Sequence, residues 1–229
     1  MCIPERDARN RNSEYWENLP SIRAYDHPVV RFFALQRISY ICRWLNLDTI
    51  KNALDVGCGN GISTYYMHKH IPDITCIDIS HYLLSLHPLA DTKKTCVVAD
   101  ASRLPFPDNS FDFVYGWEVL HHLLEPQKVV SEMARVSRRY VLISETNPAN
   151  PVQFAYSFID KEHRRVREHT LTFLKGLFAA AKLEVAYSGS GGWIFPHRTP
   201  LWLFRILRRF PYSFMLGISN WVLGKKDSI

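Results

Sequence analysis

The chain has 229 residues, 47% apolar, 13% aromatic and 22% charged, which supports a packed core and excludes disordered, collagen-like and low-complexity classes. That length suits one α/β or α+β domain and leaves little room for two. The net charge of +6 is unevenly spread, at +2 over residues 1–51, −4 over 52–160 and +9 over 161–226; a basic last third can attract phosphates, nucleic acid or an anionic membrane surface.

The residues Met1 to Asn12 are charged and carry no apolar run, so no secretory signal is expected. Cys2, Cys42, Cys58, Cys76 and Cys96 are odd in number and lack C-x-x-C spacing. They predict neither a disulfide framework nor a metal site, and a reducing, cytoplasmic setting.

Glu14 to Leu47 reads as one or two helices, with Val29, Val30, Phe33, Leu35, Ile38, Ile41 and Leu45 at approximate helical spacing. Ala53 to Val56 is a short apolar strand that runs into Gly57-Cys58-Gly59-Asn60-Gly61, and Ile62 to His70 reads as a helix stopped by Pro72. Ile74 to Asp78 is a second strand followed by a helix over Tyr82 to Leu86, and Thr95 to Ala99 a third that ends at Asp100. Phe111 to Tyr115 is a fourth strand, introduced by the turn Pro107-Asp108-Asn109-Ser110. Pro126 opens a helix to Val136; Tyr140 to Ser144, Leu171 to Ala181 and Leu183 to Tyr187 follow as strand, helix and strand. This alternation predicts a doubly wound α/β sheet, mostly parallel, with helices on both faces.

In such sheets ligands sit outside the carboxyl ends of the strands, at the topological switch point. Glycine allows the sharp turn and lets a ligand approach bare backbone. Asp78 lies 17 residues after Gly61 at the next strand end, where a carboxylate can hold two ribose hydroxyls, and Asp100 ends the third strand in the same way. A nicotinamide dinucleotide loop wants G-x-G-x-x-G, whereas the third glycine here falls one residue early, at Gly61.

Leu54-Asp55-Val56-Gly57-Cys58-Gly59-Asn60-Gly61 resembles the first motif of class I S-adenosylmethionine-dependent methyltransferases. The segments Val98 to Asp112 and Trp117-Glu118-Val119-Leu120-His121-His122-Leu123 are similar to later motifs of that family, and together they cover roughly residues 52–144. Within it the chain looks most like the small-molecule group that includes ubiquinone and menaquinone methyltransferases. The resemblance implies a seven-stranded sheet with S-adenosyl-L-methionine as cofactor. It implies that Asp55 orients the loop, that Gly57, Cys58, Gly59 and Gly61 pass close to the cofactor, and that Asp78 holds the ribose with Ile79 against the adenine. Asp100 and Ala101 would meet the adenine edge, and Trp117 would border the methionine end. It also divides the single domain into an N-terminal helical cap over 1–50, a cofactor core over 52–145, a substrate side over 146–217 and a last strand over 218–226.

Methyl transfer needs the two partners held in line, and a base when the acceptor carries a proton. His121 is the first candidate base, followed by His169 and His163 of the His/Arg-containing segment 162–170; Glu145 follows the fifth strand. On a helix His121 and His122 would be about 100° apart, so both would not face one cavity. No run of His and carboxylates has metal-ligand spacing, and no metal is expected.

Residues 210–224 are uncharged but too short to span a bilayer, which takes about 20 residues. The segment Leu201 to Phe210 combines Leu201, Trp202, Leu203, Phe204, Ile206, Leu207 and Phe210 with Arg205, Arg208 and Arg209. Such a helix, inserted before the last strand, suits a lipid headgroup layer, a lid on an apolar substrate or plain packing. The expected acceptor is therefore a small, apolar or lipid-linked molecule, with peripheral contact to the inner face of a membrane. A nucleic-acid substrate is disfavoured, since Tyr115-Gly116-Trp117-Glu118 stands where base-methylating enzymes carry an Asn-Pro-Pro-Tyr-like motif. A non-catalytic cofactor-binding protein of the same fold is the other alternative.

Overall fold

Seven strands form one sheet in the order β3-β2-β1-β4-β5-β7-β6, in a computed structural model that describes residues 23–88, 96–159 and 162–226. The strands are β1 (Asn52–Val56), β2 (Asp73–Asp78), β3 (Cys96–Val98), β4 (Phe111–Trp117), β5 (Ser137–Thr146), β6 (Glu184–Gly191) and β7 (Ser219–Lys225). Pairing is parallel from β3 through β5, while β7 runs antiparallel between β5 and β6. The order reverses between β1 and β4, and that reversal leaves a crevice at the carboxyl ends.

The helices are α1 (Pro28–Ile41), α2 (Ile62–Met67), α3 (His81–Ser85), α4 (Pro126–Val136), α5 (Pro151–Ile159), α6 (Leu171–Ala180) and α7 (Leu201–Leu207). Alternation along the strands sorts the core into two layers. Leu54, Val56, Val114, Val141, Ile143 and Val222 face α4 and α6, which contribute Val129, Val130, Met133, Leu174, Leu177 and Phe178. Ala53, Phe113, Tyr115, Leu142, Trp221 and Leu223 face the other way, onto Ile38 and Ile41 of α1 and Tyr66 and Met67 of α2.

The elements match the expected order with shifted ends. The helix expected to reach His70 ends at Met67, and the fifth strand runs to Thr146. Residues 14–22 of the expected first helix, Cys2 and Thr95 lie outside the described residues. Helix α5 is absent from the expectation, for a physical reason: its large apolar residues Val152, Phe154, Phe158 and Ile159 are exposed, so no inward apolar stripe marks it. The cap that starts it is local, with Asn150 accepting from the N–H groups of Val152 and Gln153, both at 3.1 Å.

Candidate active site

The glycine loop leaves β1 in a left-handed path, with φ of +68° at Gly57, +55° at Gly59 and +77° at Gly61. A Cβ on Gly57 would stand 2.3 Å from Val119 Cγ2, so glycine is required there by space as well as by conformation. At Gly59 the same position has no atom within 4 Å, so the backbone there is open. The loop is fastened to the next strand by Asp78, whose Oδ2 accepts from Gly59 N–H at 2.8 Å. Asp78 Oδ1 accepts from Ser80 N–H at 2.8 Å, while Ser80 itself caps α3 through Leu83 N–H at 3.2 Å. Asp78 is therefore not the helix cap, and each of its oxygens keeps a lone pair for a ligand. The side chain of Ile79 beside it is exposed.

Asp100 takes Ser102 N–H at 2.8 Å in a turn that starts no helix, and Ala101 follows half-buried at the same edge. Trp117 ends β4, and its buried indole Nε1–H has no hydrogen-bond partner. The thiol of Cys58 points inward against Cys76 and Leu84, so toward the crevice that residue offers its backbone alone.

Asp55 is fully buried; its Oδ2 accepts from Ser63 Oγ at 2.5 Å and Thr64 Oγ1 at 2.8 Å, which locks the first turn of α2 behind the loop. Burial raises its carboxyl to about 7, against the two hydroxyls that lower it. The unfolded chain releases this proton near pH 4, so between about pH 4 and 7 the folded chain holds the extra proton. Its contribution is complete below pH 4 and is lost as pH rises to about 7, at on the order of 1 kcal/mol per pH unit. Replacing Asp55 by asparagine is accordingly expected to flatten the fall in Tm between pH 5 and pH 8, as followed by calorimetry; an unchanged slope contradicts this burial effect.

The expected base candidates converge. His121 sits in a 3-10 turn (Leu120–His122) after β4, fully buried, with Nδ1 at 2.7 Å from Glu145 Oε2. Glu145 is inaccessible; its Oε1 accepts Leu120 N–H at 2.6 Å, and burial pushes its carboxyl up to about 7 despite the charge of His169 nearby. The ring of His163 lies 5.3 Å from that of His121 and the ring of His169 6.4 Å away. Both come from the segment Glu162–Glu168 and its end, which Arg165 Nη1 ties to Leu123 O at 2.5 Å. His169 Nδ1 is held at 2.8 Å by Arg165 O, and its Nε2 is buried without a hydrogen-bond partner. The expectation that His121 and His122 diverge is corrected: in this short turn their rings lie 3.9 Å apart, and both face His163. Although no metal is expected, the ring nitrogens of His121, His122 and His163 all fall within 4.8 Å of one another. Sequence spacing hides this because His163 arrives from a separate segment.

Arg37 and Glu118 are absent from the expected site. Arg37, fully buried in α1, donates to Glu118 and to Ser219 Oγ at 2.6 Å, with its guanidinium 4.0 Å over the Phe33 ring. Glu118 follows β4 at φ +57°. Burial pushes its carboxyl up, but the Arg37 charge and hydrogen bond prevail and hold it below the usual range. The sequence signal was a lone charge on the apolar face of α1.

Residues 54–142 match the family model of a methyltransferase domain. The chain is similar to phosphatidylethanolamine N-methyltransferase of Cereibacter sphaeroides, 36% identical over 96 residues (38% of this chain, 45% of the relative). It is similar also to 2-methyl-6-phytyl-1,4-hydroquinone methyltransferase of Synechocystis sp., 30% identical over 161 residues (64% of this chain, 50% of the relative). The chain thus spans about half the length of these relatives. Among solved structures, magnesium protoporphyrin IX methyltransferase from Synechocystis PCC 6803 shares the fold with a TM-score of 0.62 at 15% identity, covering 99% of this chain and 100% of that one. The matched segment spans the glycine loop, Asp78, Asp100 and Trp117, so this part of the chain matches a methyltransferase domain.

Proposed function

We propose that the chain transfers a methyl group from S-adenosyl-L-methionine to a small, apolar acceptor bound against the carboxyl edge of the sheet. The observation that carries this reading is the 2.8 Å bond between Gly59 N–H and Asp78 Oδ2, which joins open backbone to a carboxylate with lone pairs to spare. The residues present fit the cofactor. Asp78 would take the ribose hydroxyls, Ile79 the face of the adenine, Asp100 and Ala101 its edge, and the backbone of Gly57 to Gly61 the methionine portion, with Trp117 beside it. When bound, the cofactor supplies a methyl on a positively charged sulfur, already activated for displacement. The protein's own work is then to hold the acceptor in line and to receive its proton. His121 is the proposed proton acceptor, with Glu145 fixing its tautomer through Nδ1 and stabilising the imidazolium.

Calorimetry with S-adenosylhomocysteine tests the reading. The wild-type chain is expected to bind it and to give no heat with NAD. Asp78→Ala is expected to weaken that binding on the order of 100-fold, since hydrogen bonds to a carboxylate contribute about 1.5–3 kcal/mol each. Binding of NAD in place of S-adenosylhomocysteine, or an unaltered affinity in a folded Asp78→Ala, overturns it.

The apolar character of the acceptor is supported by the relatives, two of which are named for a phospholipid and a phytylated hydroquinone. It is supported also by the surface. Helix α7 exposes Leu201, Trp202 and Ile206, and the turn after it exposes Phe210, Phe214 and Met215, interleaved with Arg205, Arg208 and Arg209. Among the described residues no helix is long and apolar enough to cross a membrane. Peripheral contact through α7 predicts co-flotation with anionic vesicles at low salt, lost when Arg205, Arg208 and Arg209 become glutamate. Flotation unchanged by those substitutions contradicts that part of the proposal.

A further inference from the structure

Away from the base cluster, four metal-binding side chains from four separate segments meet behind the glycine loop. Cys58 comes from the loop itself, Cys76 from the middle of β2, His87 from just after α3 and Cys96 from the start of β3. Cys58, Cys76 and His87 are buried, and their two sulfurs and one ring nitrogen all lie within 4.8 Å of one another. Cys96 is the parallel-register neighbour of Cys76, with the two sulfurs 3.0 Å apart.

We propose that Cys58, Cys76, Cys96 and His87 form a closed structural zinc site. Zinc in such sites is tetrahedral, with bonds of about 2.3 Å to sulfur and about 2.1 Å to nitrogen. Those bond lengths at the tetrahedral angle put a sulfur and a nitrogen ligand about 3.6 Å apart. Cys76 Sγ and His87 Nε2 are separated by 3.6 Å. Two sulfur ligands belong about 3.75 Å apart by the same construction; Cys96 is 3.0 Å from Cys76 but stands outside the set of three that all fall within 4.8 Å, so its thiol has to rotate toward Cys58 and His87 to become the fourth ligand. Cys96 is half-buried at the sheet edge, which leaves room for that rotation.

Two further features agree with a metal. Thiols and imidazole are the soft and borderline donors that zinc selects, and no carboxylate shares the cluster. At Gly61 a Cβ would stand 1.9 Å from the His87 ring, so the absence of a side chain there is what admits the imidazole beneath the loop. A disulfide between Cys76 and Cys96 is the rival arrangement, but it accounts for neither the Cys58 thiol nor the imidazole. The binding step is an exchange: Zn²⁺ enters, three sulfur–zinc bonds and one nitrogen–zinc bond form, and the thiol protons pass to buffer. The metal would clamp the loop, β2 two residues before Asp78 and β3 four residues before Asp100 from the rear.

The test is metal analysis of the full chain, prepared under reductant without a metal-affinity step. The expected result is about one zinc per chain, released by an organomercurial in step with thiol modification. Cobalt substitution is expected to give thiolate-to-metal charge transfer and the intense visible bands of a tetrahedral ion. Cys76→Ser and His87→Ala are expected to abolish metal retention, while Cys42→Ser, remote from the cluster, keeps it. A folded wild-type chain that holds no zinc and gives no thiolate–cobalt band overturns the site. So does a peptide map showing Cys76 joined to Cys96 in the reductant-free protein as isolated.

Discussion

Substitution of His121 by alanine is expected to lower kcat by roughly 10²- to 10⁴-fold, the usual contribution of a positioned proton acceptor. Affinity for S-adenosylhomocysteine is expected to stay close to wild type, because no cofactor-facing group is removed. The reasoning starts from Glu145, inaccessible to solvent and 2.7 Å from the His121 ring nitrogen. A carboxylate so placed holds the imidazole with its other nitrogen as the acceptor, and rewards the charge that appears when a proton arrives. Glu145→Gln keeps the shape and removes the charge, so it is expected to lose less turnover than His121→Ala while moving the acidic limb of the kcat–pH profile to lower pH. Steady-state kinetics on an accepted quinol, phenol or phospholipid acceptor decides this. Full turnover in a folded His121→Ala chain would transfer the role to His169, whose buried Nε2 has no hydrogen-bond partner.

The second large effect concerns folding. Arg37→Ala is expected to destabilise the chain by about 1–3 kcal/mol, since Arg37 is buried while a third of the Glu118 side chain stays open to water. Arg37 bridges three parts of the structure that are distant in sequence: α1, Glu118 at the end of β4 and Ser219 at the start of β7. Its guanidinium also lies 5.3 Å from the Trp117 ring and 5.4 Å from the Trp221 ring. Removing it strands the Glu118 carboxylate and opens a void among three aromatic rings. Chemical denaturation measures the loss. Arg37→Lys, which keeps a charge but not the flat fork, is expected to recover part of it. A loss below about 1 kcal/mol in Arg37→Ala would mean that Glu118 finds water once its partner is gone.

The strands and their order of appearance were legible because buried parallel strands leave short apolar runs bounded by turn residues. The glycine loop and the carboxylates at the strand ends were legible for a related reason. Glycines needed at positive φ and carboxylates at strand ends stand at fixed offsets from those runs, as Gly57, Gly59, Asp78 and Asp100 do. What could not be read was whatever depends on meeting across the fold. Arg37 looks like a misplaced charge until Glu118 and Ser219 are brought beside it. The pairing of His121 with Glu145 joins residues 24 apart on adjacent strand ends. The two histidines placed apart on helical geometry were drawn together by a turn too short to impose it. The cysteines show no ligand spacing because each one comes from a different segment.

Strand β6, among the described residues, hydrogen-bonds to β7 and to no other strand. The segment that β6 needs is therefore made after it, 28 residues further along, counted from Gly191 to Ser219. During synthesis on the ribosome the first five strands can assemble as they emerge, whereas β6 and the helix before it wait for the final hairpin to slide in beside β5. A nascent chain halted before residue 219 would carry a bare β5 flank and an orphan strand, which is the species a chaperone would need to shield.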